Sequence, residues 1–329
     1  MTRVNATRLR RALGRRGFTP ATWIPEASAG RGEEATVRPA RLVEGERLAT
    51  RPVGPPEACP DPVGFLDGIQ RYEVVGYLAA APLILARVAA AVRERPGPTG
   101  RPRLVAIGER TLAIGRGELL AEAADLLAGT ECQPLPADVA GHPVREIQAA
   151  RGIVDRTRGA LELEVGRRFR ERSGAWLVVD GALSEGISWA ADPRMIGVVK
   201  SHSTLPFEGA DQTTYLTLPQ GHRTTVFAPE TRSLAPVYSW ALRLWPWEGR
   251  DLFHGLVRIE TEATAEAIAG ADRVARWLLA ERAPISTPDA RWDRLLYGIH
   301  EVEGYLRARQ GTGGRTSSAR AARPAGAAR

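Results

Sequence analysis

Two stretches more than a hundred residues apart constrain this chain most: "GFLDG" at residues 64–68 and "WLVVDG" at 176–181, each an apolar run closed by Asp-Gly. A short apolar run ending in a turn dipeptide reads as a buried strand, so each copy predicts a strand that stops at its Asp-Gly. Between them, "YEVVGYLAAAPLILARVAAAV" (72–92) predicts two strands of a meander, "RPGPTGRPR" a turn and "RLVAIG" another strand. Helical period then covers 117–128 and 144–172. After the second Asp-Gly come strand-like runs in "MIGVVK", "TTYLTL", "YSWALRLW" and "DLFHGLVRIE", and two helices at about 262–282 and 288–308. Strands first, then a long helix, then strands mixed with helices predict one α/β domain with a mixed sheet.

The two ends have a different character. "NATRLRRALGRRG" (5–17) reads as a short basic helix ended by Gly17. Residues 26–64, rich in Pro, Gly and Glu without period, read as a linker with little regular structure. The low-complexity tail 309–329 is expected to be disordered. The formal net charge of +7 hides this division. Residues 1–25 and 304–329 each hold six arginines and no acid, which leaves a net −5 for the body. Basic arms suit phosphate tracking; the body is no bulk polyanion binder. Cys59 and Cys132 are isolated, with no CxxC, which excludes a cysteine zinc site and fits a reducing cytoplasm. No apolar run follows the N-terminal arginines, and the most apolar stretch is interrupted by Glu73, Pro82 and Arg87. Neither a signal peptide nor a membrane span is expected.

The chemistry-bearing residues sit where α/β sheets place ligands, at strand ends. Asp67 and Asp180 are two such acids, each followed by a glycine that lets another group approach closely. A third acid comes from the helical stretch before the second strand, either Glu162 or Glu164, which point about 200° apart around a helix, so only one can face the sheet. Three carboxylates converging in an acidic body repel one another unless cations bind them. Hard divalent ions, Mg²⁺ or Mn²⁺, suit oxygen ligands and activate water for phosphodiester cleavage. Lys200 is the only lysine among 45 Lys plus Arg. A compact ammonium at the end of the next strand can reach a metal-bound phosphate or the attacking water in a way a planar guanidinium cannot. Arg258 alternates with apolar neighbours and is a candidate phosphate clamp. His202 and His222 are read as solvent-exposed and His254 as an ordinary strand residue. Three tryptophans in 240–247 suit core or interface packing, with base stacking the alternative. No GxSxG elbow and no GxxxxGK loop is present, which sets aside a serine hydrolase and a P-loop enzyme.

Taken in order, "FLDG", "RGALELE…WLVVDGALSE", "MIGVVKS", "LVRIET" and "LLYGIHEVEGYL" resemble the NurA nuclease domain family, of the RNase H-like superfamily, over residues 61–308. The resemblance implies an RNase H-like mixed sheet flanked by helices, preceded by a 1–60 extension with no counterpart. It implies a nuclease that degrades DNA as a 5'-3' exonuclease or endonuclease, with two Mn²⁺ or Mg²⁺ ions held by residues matching Asp67, Glu162 and Asp180. A histidine or acid of the C-terminal helix completes the family site, and His300 stands at that place. A homodimer and a HerA-type hexameric ATPase partner are also implied, in DNA repair or phage defence. The family favours Asp-Gly-Ser, whereas this chain has Asp-Gly-Ile at 67–69 and Asp-Gly-Ala at 180–182. Two rivals follow: an RNase H-like structure-specific nuclease working alone, and a degenerate subunit that only docks on its ATPase.

Overall fold

The computed structural model describes residues 5–16, 19–20, 36–139, 141–202, 204–230, 235–247, 252–282 and 294–312. Its centre is a meander of three long strands: β1 (Val63–Leu78), β2 (Ala81–Arg95) and β3 (Arg103–Gly115). A long helix, α2 (Pro143–Arg170), leads into β4 (Trp176–Asp180), and β5 (Met195–Val199) follows. The strands pair in the order β3-β2-β1-β4-β5, antiparallel within the meander and parallel from β1 to β4 and β4 to β5. Only β2 runs against the other four, which is the RNase H-like arrangement. Two antiparallel strands, β6 (Val237–Arg243) and β7 (Leu256–Glu262), extend the sheet beyond β5, and short pieces bring it to 13 strands.

Helices cover both faces. Against one face lies α2, whose Ala150, Val154, Leu161, Val165 and Phe169 recur at four- and seven-residue spacing and pack on Leu66, Ile84, Val92 and Val179. Against the other lie α4 (Ala265–Ala280) and α5 (Tyr297–Thr312), packed on Phe65, Ala89, Val178 and Val198. Farther along the same face, α1 (Ala6–Gly14) sets Leu9 and Leu13 against Val75, Leu83 and Leu85. α5 fits closely because residue 298 lacks a side chain. A Cβ there would lie 2.5 Å from the ring of Phe65, which is 2% exposed.

Several expectations from sequence are corrected. β1 does not stop at Asp67-Gly68: its pairing with β2 runs from Val63–Arg95 to Leu78–Ala81, and that ladder overrides the turn preference of Asp-Gly. "TTYLTL" is not a strand but the end of a helix, α3 (Gly209–Leu216). The Thr213, Thr214 and Thr217 hydroxyls bond carbonyls four residues back, at 3.2, 3.1 and 2.8 Å, which suits threonine to the helix, and Tyr215 is buried beneath them. β7 begins only at Leu256, after a turn at 252–255 that contains His254. The last helix starts at Tyr297 rather than 288 and runs to Thr312; residues 313–329 of the expected tail lie outside the described residues. α1 ends at Gly14, and Gly17 lies outside the described residues.

The segment expected to be a linker is built into the sheet instead. Thr36–Val37, Arg41–Leu42 and Thr50–Pro52 are strands, and the last two pair with 227–228 and 222–224. Glu44 fixes this segment through a two-pronged pair with buried Arg223, at 2.7 and 3.0 Å, while Arg223 Nε donates to Asp272 at 2.5 Å. Burial alone would raise the Glu44 carboxyl, but the Arg223 pair outweighs it and holds Glu44 below the usual range. No helix among the described residues is long and apolar enough to cross a membrane, and Cys59 and Cys132 are both free.

The α5 contact gives a test of this packing. Gly298→Ala forces a methyl into the Phe65 ring and should cost about 1–3 kcal/mol. Thermal unfolding followed by circular dichroism should show a fall of roughly 2–10 °C.

Candidate active site

The parallel register between β1 and β4 places the two aspartates. Val63, Gly64, Phe65 and Leu66 pair with Trp176, Leu177, Val178 and Val179, and there the pairing ends. One residue farther on, Asp67 and Asp180 stand level on neighbouring strands where the sheet opens. This is also where strand order reverses, from β1–β2–β3 on one side to β4–β5 on the other, the position at which α/β sheets bind ligands. A cleft of about 670 Å³ opens there, lined among others by Asp67, Asp180 and Lys200 from the sheet, Arg158 from α2, and Glu303 and Arg307 from α5.

The two glycines serve different needs. A Cβ at Gly68 would overlap the Glu162 carboxylate, so glycine lets the α2 acid come down over β1 beside Asp67. Gly181 has nothing within 4 Å of a Cβ but a φ of +147°, which disfavours other residues. The loop after Asp180 is then fixed from below. Glu260 on β7, fully buried, accepts from the backbone N–H groups of Leu183 at 2.9 Å and Ser184 at 3.2 Å.

Of the two helix acids, Glu162 is the one above the site. Glu164 is bound by Arg110 and Arg168, each at 2.8 Å, and the Arg110 hydrogen bond holds its carboxyl below the usual range. Lys200 Nζ donates to Asp180 Oδ2 at 2.8 Å, so the lone lysine stands in the cleft. Arg158 Nη1 donates to Glu162 Oε1 at 2.6 Å, and its Nε donates to Gln70. Asp67 is 7% exposed and receives the Gly68 N–H at 2.7 Å. Burial first, then the Asp180 and Glu162 charges, push its carboxyl well above the usual range; Lys200 and the Gly68 N–H pull the other way.

Carboxylates of this kind are the donors that a hard divalent cation takes, and the repulsion felt by Asp67 is what such a cation relieves. In chemistry, as oxygen donors, the three acids suit Mn²⁺ or Mg²⁺. As the side chains stand, no three His, Cys, Asp or Glu among the described residues form a ligating group; Asp180 and Glu162 are instead bonded to Lys200 and Arg158.

The remaining candidates lie elsewhere. His300 shares the α5 stripe of Glu303 and Arg307 one turn earlier, but it does not line the cleft, and its Nδ1 is buried without a hydrogen-bond partner. Glu303, bound to Arg307 at 2.6 Å, is the α5 acid on the lining. The rule of one residue per helical turn would have pointed to it. Arg258 is not on the lining either; it stands opposite Val199 and pairs with Glu260 at 2.6 Å, neutralising the acid that holds the 183–184 loop. His202 is packed in, not solvent-exposed: Nε2 lies 3.0 Å from the Leu256 carbonyl, the ring stacks on Phe253, and burial lowers its pKa to about 4. His222 lies against the Gln220 carbonyl at 3.0 Å, away from the cleft. Trp240 is wholly buried in the core, and Arg282 lies 4.4 Å over the Trp245 ring.

Comparison with known proteins adds names but no weight. No family model matches the chain, and no curated protein matches it. Among solved structures, the NurA nuclease from Sulfolobus solfataricus is similar at 8% identity and a TM-score of 0.45, over 78% of this chain and 83% of that one. Endonuclease V from Streptomyces avermitilis is similar at 15% identity and a TM-score of 0.32, over 83% and 88%. Scores this low assign no activity; the strand order and the cleft stand by themselves.

The Asp67 environment has a measurable consequence. A carboxyl whose pKa is raised on folding makes the folded state bind more protons than the unfolded one, so its contribution falls as pH rises above the ordinary carboxylate range. In EDTA, Asp67→Asn should therefore melt higher than wild type at pH 8, by roughly 2 °C or more. The gap should close towards pH 4, where the unfolded carboxyl also takes up its proton. A gap independent of pH would contradict this electrostatic account.

Proposed function

We propose that the chain is a divalent-metal-dependent deoxyribonuclease that cleaves phosphodiester bonds at the opening between β1 and β4. The observation that carries this reading is the level placement of Asp67 and Asp180 at the switch point of an RNase H-like sheet, with Glu162 above Gly68. Mn²⁺ or Mg²⁺, as one or two ions held by Asp67, Asp180 and Glu162, would supply an activated water and offset the phosphate charge. The chain's own groups then have distinct tasks. Lys200 orients Asp180 through its 2.8 Å bond and, once displaced from it, offers a compact positive charge to the scissile phosphate. Arg158 and Arg307, on opposite walls of the cleft, can take phosphate oxygens in two-pronged fashion. Glu260, with Arg258 behind it, keeps the loop after Asp180 in place. The wider reading is a homodimer that processes DNA ends beside a HerA-type hexameric ATPase, in repair or phage defence; it rests on the sequence resemblance alone.

A second reading has its own observation. Lys200 and Arg158 already neutralise Asp180 and Glu162, as expected of a chain that keeps the fold and has lost the cleavage. Degradation of linear DNA with Mn²⁺ separates the two. The nuclease reading expects Mn²⁺-dependent loss of substrate, reduced about a hundredfold or more in Asp67→Asn and in Asp180→Asn. Lys200→Arg should restore little of the activity lost in Lys200→Ala, because guanidinium is wider and planar. Glu164→Gln should stay within about twofold of wild type. No Mn²⁺-dependent cleavage by the wild type, with the fold intact, would establish the second reading.

A further inference from the structure

Beside its apolar face, α2 carries a polar stripe made of Asp155, Arg158 and Glu162. Steps of three and four residues put all three on one side of the helix. Beneath them β1 presents Gly68 and Gln70, alternate residues on the face that Leu66 packs against α2. Polar groups half-buried between a helix and a sheet are costly unless they bond one another. Here they form one chain. Gln70 Nε2 donates to Asp155 Oδ1 at 2.5 Å, and Arg158 Nε donates to Gln70 Oε1 at 3.2 Å. Arg158 Nη1 then donates to Glu162 Oε1 at 2.6 Å.

The chemistry of the groups gives this chain a direction. A carboxylate only accepts, so the Gln70 atom beside Asp155 has to be the amide nitrogen. The amide oxygen is thereby turned to Arg158, which has donors and no acceptor and takes it with Nε. A guanidinium is planar, so fixing Nε and Nη1 fixes the third nitrogen as well. That nitrogen, Nη2, takes no partner among the described residues. Gln70 and Arg158 both line the acid cleft, whereas Asp155 stands behind them, off the lining.

We infer that Asp155 is a positioning residue: acting through Gln70, it holds the Arg158 guanidinium with Nη2 turned to a phosphate oxygen of DNA in the cleft. The inference rests on the nuclease reading for the identity of that ligand. Asp155 itself touches neither the substrate nor a metal. Without it nothing keeps the Gln70 oxygen towards Arg158, and the long arginine side chain regains its rotamers. The clamp then loses its preorganisation, although every group that meets DNA is still present.

The test is a set of substitutions in the full chain, read by binding and cleavage of a short single-stranded DNA oligomer. Binding is followed by fluorescence anisotropy in EDTA, and cleavage with Mn²⁺ gives kcat and KM. Asp155→Leu should weaken binding about tenfold, as expected when one charged hydrogen bond is lost. It should raise KM with little change in kcat, because the clamp holds ground state and transition state alike. Gln70→Glu sets two carboxylates against each other and should weaken binding to a similar degree. Adding Asp155→Asn to Gln70→Glu reverses the polarity of that contact. The new amide donates, the new carboxylate accepts from it and from Arg158, and binding should return to within about threefold of wild type. Arg158→Ala should weaken binding at least as much as Asp155→Leu, and adding Asp155→Leu to it should change nothing more, since residues acting in one chain are not additive. A merely structural Asp155 would lower the melting temperature of Asp155→Leu and leave affinity and KM as they were; that result overturns the inference. Failure of the polarity-reversed double variant to recover binding also overturns it, and decides the matter if Asp155→Leu does not fold. Binding that follows the expected pattern without any Mn²⁺-dependent cleavage upholds the positioning role and sinks the nuclease reading. A wild type that neither binds nor cleaves the oligomer overturns both.

Discussion

The site depends on a mismatch of strand lengths. β1 has 16 residues and β4 has 5, so their parallel ladder ends at Leu66 and Val179 while β1 runs on, held by β2 and, at its far end, by Thr19–Pro20 paired with Tyr77 and Gly76. A sheet that lost both strands at the same level would have no opening, only an edge. Because one strand continues, the opening has a floor, and the two residues just past the last pair are held level without any loop of their own. Asp67 is placed by ladder bonds on its β2 side, as rigid a mounting as a protein offers.

Charge is managed in layers around that opening. Asp67, the most buried of the acids, pays for its position with a raised proton affinity. Asp180 and Glu162 are each paired with a cation on a long side chain, Lys200 and Arg158. Beneath them, Glu260 is wholly buried and is stabilised by two backbone N–H groups and Arg258. Removing a partner from a buried pair of this kind costs far more than removing one at the surface. The buried acid therefore belongs to the frame, while Asp67 and Asp180 on the sheet and Glu162 on α2 face the opening.

Much of this was legible in the chain. The apolar runs gave β4 and β5 nearly to the residue, and the 28-residue helix α2 showed its period clearly. The place of Asp67 was misread as a strand end because Asp-Gly carries a local turn signal, while the ladder that overrides it is formed with residues 81–95, invisible to local reasoning. "TTYLTL" misled in the same way: β-branched residues favour strands, yet Thr213 and Thr214 inside a helix, and Thr217 at its end, satisfy their hydroxyls on carbonyls one turn back. The roles of Arg258 and His202 could not be read because alternation tells which face a side chain takes, not what awaits it there. Residues 36–52 lacked period because each strand has only two or three residues, too few to show one.

The separation of the two aspartates along the chain also sets a clock. The β1–β2–β3 meander consists of neighbouring hairpins and can form as soon as about fifty residues are available, whereas β4 must wait for all of α2. At translation rates of roughly 5–20 residues per second, Asp180 leaves the ribosome about 5–20 s after Asp67. During that interval the nascent chain carries half an acid pair, and the edge of β1 that will receive β4 is bare. Whatever chemistry the cleft performs is therefore withheld from the unfinished polypeptide, and a truncated product of its gene is an inert meander with an adhesive edge.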